Sequence, residues 1–384
     1  MTREVSPETV AAASGIASDE SFGAVIPPLY TTSTFVFEGL EKPGKYDYSR
    51  SGNPTRSLLA ATLARLEKGA GAVVVSSGMA AIDLVLSRFG PADLILAPHD
   101  CYAGTRRLLT ARSDKSAFKV IFLDQSDEAA LTDALSHKPA LILVETPSNP
   151  LMRITDIASI AARAKSVGAK VAIDNTFLSP VFQTPISLGA DYVIHSTTKY
   201  LNGHSDLVGG VVIAAEEADV APLREWANIT GVTGSAFDAS QTLRGLRTLF
   251  PRMQAQQRTA LSLASFLTRH RRIRSVYYPG LETHTGHEIA RTQQTGFGAM
   301  LSFDLAGDIG DVRKFIEALR LFTLAESLGG TESLIAHPAT MTHASMAPAL
   351  RASVGITGTL LRISVGLEAE GDLQDDLAEA LSVL

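Results

Sequence analysis

Seven short apolar runs mark the first two-thirds of the chain, at residues 72–75, 94–97, 120–123, 141–144, 171–173, 192–194 and 211–214. None alternates polar with apolar positions, so each predicts a strand buried on both faces. Between several of them the spacing turns helical, as in residues 154–167 with their alanine-rich face. Buried strands separated by helices predict an α/β fold with a mostly parallel seven-stranded sheet covered by helices. Polar groups at the strand ends are then the place to look for a site.

The flanks read differently. Residues 1–48 hold Pro27-Pro28 and a polar, β-branched run at 31–37 with little helical period, which predicts an extended arm reaching a neighbouring subunit. Asn53-Pro54 then caps a helix carrying Leu58, Leu59, Leu63 and Leu66, with Gly69 as its stop. Past residue 250 come a long helical run at 253–270, a strand at 299–305, a helix at 311–321, a strand at 360–367 and a helix from Asp372. The expected division is an arm (1–48), a large α/β domain (49–250) and a smaller α+β domain (251–384).

Composition narrows the classes of function. The chain has 384 residues, 45% hydrophobic and 19% charged, enough for a large core. A net charge of -6 without a basic block argues against nucleic acid, and Arg271-Arg272 is a short pair at a predicted helix end. The single Cys101 excludes an intrachain disulfide and a cysteine-rich metal site, and it fits the cytoplasm. No apolar run reaches the roughly 18 residues of a membrane span. Neither a signal peptide nor a membrane partner is expected.

Candidate chemistry collects where apolar runs end. Run 192–194 leads through Ser196 and Thr198 to Lys199. A lysine there either snorkels to water or joins an aldehyde as an imine, and two hydroxyls beside it suit the phosphate of pyridoxal phosphate. Ser77-Gly78-Met79 opens a helix after run 72–75, where free N–H groups and a side-chain-free residue favour a phosphate, although Ser-Gly turns are common. Asp174 closes run 171–173 and suits a protonated pyridine nitrogen, or simply a turn. Asn149 suits a phenolic oxygen, or an Asn-Pro turn. Taken singly each has an ordinary explanation; together, at successive strand ends, they fit one cofactor.

Further groups come from outside the sheet. Tyr48 and Arg50, two residues apart, suit a phosphate if the segment is extended, and the arm places them to serve a neighbouring subunit's site. Tyr102 can stack on a ring, with Arg107 rather than Arg106 expected to hold an acidic group of a substrate. Ser327 and the strand-borne Arg362 suit an α-carboxylate. His284 and His287, with a glycine between them and no acidic motif nearby, form only a weak metal pair, so no metal is expected. Neither a dinucleotide glycine fingerprint nor a Walker-type Gly-Lys-Ser/Thr is present.

The segments Tyr48-Ser-Arg50-Ser-Gly-Asn-Pro-Thr55, Glu145-Thr-Pro-Ser-Asn-Pro150, Asp174-Asn-Thr-Phe177, His195-Ser-Thr-Thr-Lys-Tyr200 and Glu326-Ser-Leu-Gly-Gly330 resemble the cysteine and methionine metabolism family of pyridoxal-phosphate enzymes. The resemblance covers essentially the whole chain. It implies the aspartate-aminotransferase-like fold (fold type I) and pyridoxal 5'-phosphate as cofactor. It makes Lys199 the imine lysine, Asp174 the ring-nitrogen partner and Tyr102 the stacking aromatic, which also serves as acid or base. Gly78, Met79, Thr176, Ser196 and Thr198 fall on the cofactor side, with Tyr48 and Arg50 from the adjacent subunit. Asp47, Arg107, Asn149, Glu326, Ser327 and Arg362 fall on the substrate side.

Within the family, Ala97-Pro-His-Asp-Cys-Tyr102, Gly231-Val-Thr-Gly234, Arg244-Gly-Leu-Arg-Thr-Leu249 and Ala339-Thr-Met-Thr-His343 resemble bacterial cystathionine γ-synthases most, and Glu326 agrees with γ-synthases and γ-lyases. The implied reaction is replacement of succinate in O-succinyl-L-homoserine by L-cysteine, in a homotetramer built from two dimers. Ser51 departs from the enteric γ-synthases, which carry a second arginine there. That departure favours an acetylated donor or cystathionine γ-lyase activity as alternatives. A ligand-binding protein that keeps the fold without catalysis is the alternative from another class.

Overall fold

The computed structural model describes residues 5–384, so the first four residues of the arm lie outside the described residues. Seven strands form the larger sheet: β1 (Gly71–Val75), β2 (Leu94–Pro98), β3 (Lys119–Leu123), β4 (Leu141–Glu145), β5 (Lys170–Asp174), β6 (Tyr192–Ser196) and β7 (Gly210–Ala214). Their order is β1-β7-β6-β5-β4-β2-β3, and β7 alone runs against its neighbours. Its sense follows from its connection. Residues 197–209 return from β6 to β7 without a crossover helix, and a parallel pair needs one.

Six of the predicted strands are mostly buried, but β3 is not. It closes one edge of the sheet and its residues alternate between exposed and part-buried, so expecting burial on both faces fails there. Apolar residues on an edge strand need only one covered face, which run length does not reveal.

Five further strands, β8 (Ile273–Tyr277), β9 (Met300–Leu305), β10 (Thr323–Leu324), β11 (Leu334–Ala336) and β12 (Leu360–Ser364), form a second sheet in the order β10-β11-β12-β9-β8. The helix Leu249–Thr268 packs on β8 and β9 and on the terminal helix Glu370–Ser382. One hydrophobic cluster runs from Val74, Val193 and Val211 of the large sheet through Leu63 and Met253 to Leu301 and Ile363 of the small one. The two sheets therefore share a core, which fixes the strand ends of one against β12 of the other.

The arm is extended apart from the helix Pro7–Ala13, which the sequence reading lacked. Only Val10 and Ala11 of that helix are buried, too few for a visible period. Beyond it Phe22, Val36 and Leu40 are 96%, 90% and 94% exposed on the isolated chain. Asn53 anchors the arm's end: its Oδ1 caps the helix Pro54–Leu66 by accepting from Thr55 N and Arg56 N, while its Nδ2 donates to Tyr30 O at 2.8 Å.

Candidate active site

A cavity of about 640 Å³ opens where β1, β4, β5 and β6 end beneath the edge of the second sheet. One wall is the turn after β1. Ser77, in extended conformation, caps the helix Gly78–Leu86, its Oγ accepting from Ala80 N at 3.0 Å. The N–H groups of the helix's first turn have no partners within the helix, the arrangement that attracts a phosphate. A Cβ at Gly78 would lie 2.7 Å from Ser196 Cβ, and one at Gly210 only 2.1 Å from Ser77 O. Glycine is needed at both positions because the turn is pressed onto β6 and β7. Ser196 and Thr198 share this wall, with Thr176 Oγ1 accepting from Ser196 N at 3.0 Å and Thr198 Oγ1 accepting from Gly209 N at 3.0 Å.

The floor carries two neighbouring carboxyls. Asp174 ends β5, where Oδ1 accepts from Thr176 N at 3.0 Å; burial raises its pKa against the pull of that bond. Beside it in register on β4 is Glu145, to which the sequence reading gave no role. Its Oε2 accepts from Tyr102 N at 2.8 Å and its Oε1 from Asn149 N at 2.9 Å. Burial, and then the charge of Asp174, push Glu145 up to about 8. A second unforeseen pair lies wholly inside the protein: His195 Nε2 is 2.6 Å from Glu67 Oε1, which also accepts from Asn175 Nδ2 at 2.9 Å. The available signals were His195 directly after the apolar run 192–194 and Glu67 directly after the helix's last leucine.

Lys199 enters from the β6–β7 connection and donates from Nζ to Ser327 Oγ at 2.7 Å. Burial first, and the Arg362 charge second, lower its pKa to about 8, so about a tenth of the amine is neutral at pH 7, far more than for an ordinary lysine. Ser327 sits in the left-handed region at φ 85°, which turns its carbonyl toward Arg362 Nη2 at 2.8 Å. Arg362 is buried on β12, and its Nη1 donates to Asn149 Oδ1 at 2.9 Å. That bond leaves the Asn149 Nδ2 donor untaken.

Tyr102 stands at the cap of the helix Ala103–Asp114, and Arg107 lines the cavity from that helix, as Met79 and Glu326 do from other elements. A Cβ at Gly104 would lie 2.4 Å from Tyr102 Cε1, so glycine leaves room for the ring. Arg106 turns elsewhere, lying 3.9 Å over the Phe122 ring and donating to His99 O. Met341, Thr342 and Ser345 form part of the rim, and the sequence reading assigned them nothing. Three expected residues are not in this chain's own cavity. Arg50 Nε donates to Asn228 Oδ1 at 3.0 Å, Tyr48 is exposed, and Asp47 Oδ1 accepts from Ser51 Oγ at 2.6 Å. His284 and His287 are spent on a turn, bonding Gly286 N and Pro279 O respectively.

The family model for Cys/Met metabolism PLP-dependent enzymes matches residues 8–382. The chain belongs to this family. Among individual members of the Cys/Met metabolism PLP-dependent family, cystathionine γ-synthase of Escherichia coli (strain K12) is 54% identical over 98% of this chain and 97% of its own length. A cystathionine β-lyase of Lactococcus lactis subsp. cremoris is 46% identical over 96% of each. The crystal structure of cystathionine γ-synthase from Xanthomonas oryzae pv. oryzae, in complex with aminoacrylate and cysteine, superposes with a TM-score of 0.98 at 52% identity, covering 99% of this chain and 98% of that one. The expected α/β fold, the enzyme class and pyridoxal 5'-phosphate are thereby established. The residues also fit that cofactor on their own chemistry. A glycine cradle with hydroxyls suits the phosphate, a buried acid the ring nitrogen and a part-neutral lysine the aldehyde.

Proposed function

We propose that this enzyme catalyses γ-replacement, in which L-cysteine displaces succinate from O-succinyl-L-homoserine to give L-cystathionine. What supports this reaction over its relatives is the similarity to γ-synthases, 54% identity to one by sequence and a TM-score of 0.98 at 52% identity to the solved structure of another. Gly78, Met79, Ser196 and Thr198 hold the cofactor's phosphate, Asp174 its ring nitrogen with Thr176 bracing that carboxylate, Tyr102 its ring face, and Asn149 Nδ2 its phenolic oxygen. Lys199 holds it covalently until substrate arrives. When bound, the cofactor supplies an electron sink for negative charge developing at the substrate's α-carbon.

The protein's part is to hold and move protons. Arg362 and Ser327 fix the α-carboxylate within reach of Lys199 Nζ, which takes the α-proton, releases it, and, neutral again, takes a β-proton. The succinate oxygen leaves the γ-carbon, the cysteine thiolate adds there, and protons return through the same amine. Tyr102 assists as acid or base, Glu326 receives the incoming cysteine's ammonium, and Arg107 holds the donor's distal carboxylate. Asp47, on the arm, contributes to the substrate side of a neighbouring site.

The assembly follows from the arm. Tyr48 and Arg50 complete the phosphate site of an adjacent subunit, so the smallest active unit is a dimer, and two dimers form the tetramer. The arm ends at residue 48, the cofactor domain spans 49–250 and the smaller domain 251–384. No helix among the described residues is long and apolar enough to cross a membrane. With one cysteine in the chain, we assign the enzyme to the cytoplasm.

A second reading is cleavage of cystathionine, by γ-elimination or, as in the 46% identical relative, by a β-lyase. It is favoured by Ser51, which donates to Asp47 Oδ1 and Tyr48 O and presents no cation to a succinyl group. Purified enzyme offered O-succinylhomoserine with cysteine, O-acetylhomoserine with cysteine, or cystathionine alone separates these readings. The first pair is expected to turn over fastest. Faster consumption of cystathionine alone overturns the assignment.

A further inference from the structure

We infer that Glu145 and Asp174 act as one acid, sharing a single proton on the cavity floor, and that Glu145, its neutral member, is the positioning residue that sets the slot between Tyr102 and Asn149. The inference takes the site from the cofactor reading above, but it does not depend on which substrate is used.

The geometry is that of two carboxyls with no counter-charge. Glu145 and Asp174 are register partners on adjacent parallel strands, so their side chains leave the same face of the sheet about 4.8 Å apart at the backbone. Among the described residues neither makes an ion pair. The groups around Glu145 do not supply one. From the β2 end, Asp100 adds a further acid, itself held by Arg153 Nη1 and Ser148 Oγ, each at 2.8 Å. Cys101 beside it is buried with its thiol protonated. Arg106 is stacked on Phe122, and across the cavity Lys199 and Arg362 are bonded to Ser327 and Asn149. His195 is committed to Glu67, and the buried His343 is held neutral by burial and by Arg362. Two like charges this close in a partly desolvated floor retain one proton between them.

The assignment of that proton to Glu145 follows from its surroundings: burial and the charges of Asp174 and Asp100 outweigh the two N–H bonds, which by themselves favour its charged form, whereas Thr176 and His195 favour the charged form of Asp174. A neutral carboxyl still accepts from both Tyr102 N and Asn149 N, and its O–H remains free to donate to the Asp174 carboxylate. The floor then presents one negative charge, at Asp174, while Glu145 ties together the loops bearing the stacking aromatic and the amide.

The test is the pH dependence of folding for the full-length chain in its cofactor-free form, wild type against Glu145→Gln. Glutamine loses one acceptor, a cost independent of pH. A carboxyl whose folded pKa lies above its unfolded value binds a proton in the fold that the unfolded chain has released. The contribution of this proton to wild-type stability therefore falls as pH rises from about 5 to about 8, by roughly tenfold in the folding constant per pH unit, and levels off above. The stability of Glu145→Gln relative to wild type is expected to rise across that window. A difference that stays flat shows that the pair holds no shared proton and overturns the inference. Should the variant not fold, infrared titration of Asp174→Asn answers the same question: the protonated-carboxyl band of Glu145 is expected to disappear at lower pH than in wild type, and an unmoved midpoint overturns it. Neither measurement involves turnover, so a wrong substrate assignment leaves both readable.

Discussion

Lys199 owes its reactivity first to burial, and only then to the Arg362 charge that pushes the same way. An amine with a pKa of about 8 is charged below that pH and neutral above it. The rate of cofactor attachment to the cofactor-free chain is therefore expected to climb with pH and level near 8, as stopped-flow absorbance would record. Lys199→Ala is expected to abolish the visible imine band and to cut turnover by at least the roughly 10²–10⁴-fold a proton-transfer group supplies. Arg107→Ala is expected to impair succinylated donors more than acetylated ones in kcat/KM, and equal losses would remove its role at the distal carboxylate. At this scale the sequence was readable wherever a polar residue ended an apolar run, because such a residue has no business there without a partner. Lys199, Asp174 and Ser196 were singled out in that way, and Gly78 by its place at a helix start; all four line the cavity. Glu145 ended such a run too, yet nothing local tells a carboxyl that accepts two backbone N–H groups from one that binds a ligand. Glu67 and His195 are 128 positions apart, and only the fold pairs them.

The elements that carry these residues were legible to a similar degree. Unbroken apolar runs located all seven strands of the large sheet, but not the reversed sense of β7, which is a property of its connection, nor the half-exposed edge character of β3. In the second sheet, β10 and β11 were missed because two or three residues carry no period, and the five-residue β8 because Arg274 and Ser275 interrupt its apolar positions. The tight seating of β7 against the turn after β1 has a direct consequence. Gly210→Ala places a methyl group onto Ser77 O, an overpacking cost of about 1–3 kcal/mol. Because the strain falls on the phosphate wall, the variant is expected to bind pyridoxal phosphate more weakly in fluorescence titration while keeping its far-ultraviolet circular dichroism. Unchanged affinity would mean that the turn relaxes without moving the cradle.

For the whole molecule, the exposed Phe22, Val36 and Leu40 and the exposed Tyr48 and Arg50 are the two observations behind our proposal that the arm packs against another copy. Mixing Lys199→Ala chains with Arg50→Ala chains, after reversible dissociation, is expected to restore part of the activity that each lacks alone, since some mixed dimers contain one site with both residues intact. No recovery on mixing, with exchange verified by sedimentation, would place Arg50 outside its neighbour's site. The cavity itself is divided in a similar manner. Its floor is made of the ends of β4 and β5, strands packed into the hydrophobic clusters of the large sheet, whereas its rim comes from Arg107, from Met341, Thr342 and Ser345, and by our proposal from another chain's arm. Protein engineers can exploit that separation: a library confined to the rim samples new acyl donors and thiols while the cofactor chemistry beneath is inherited unchanged.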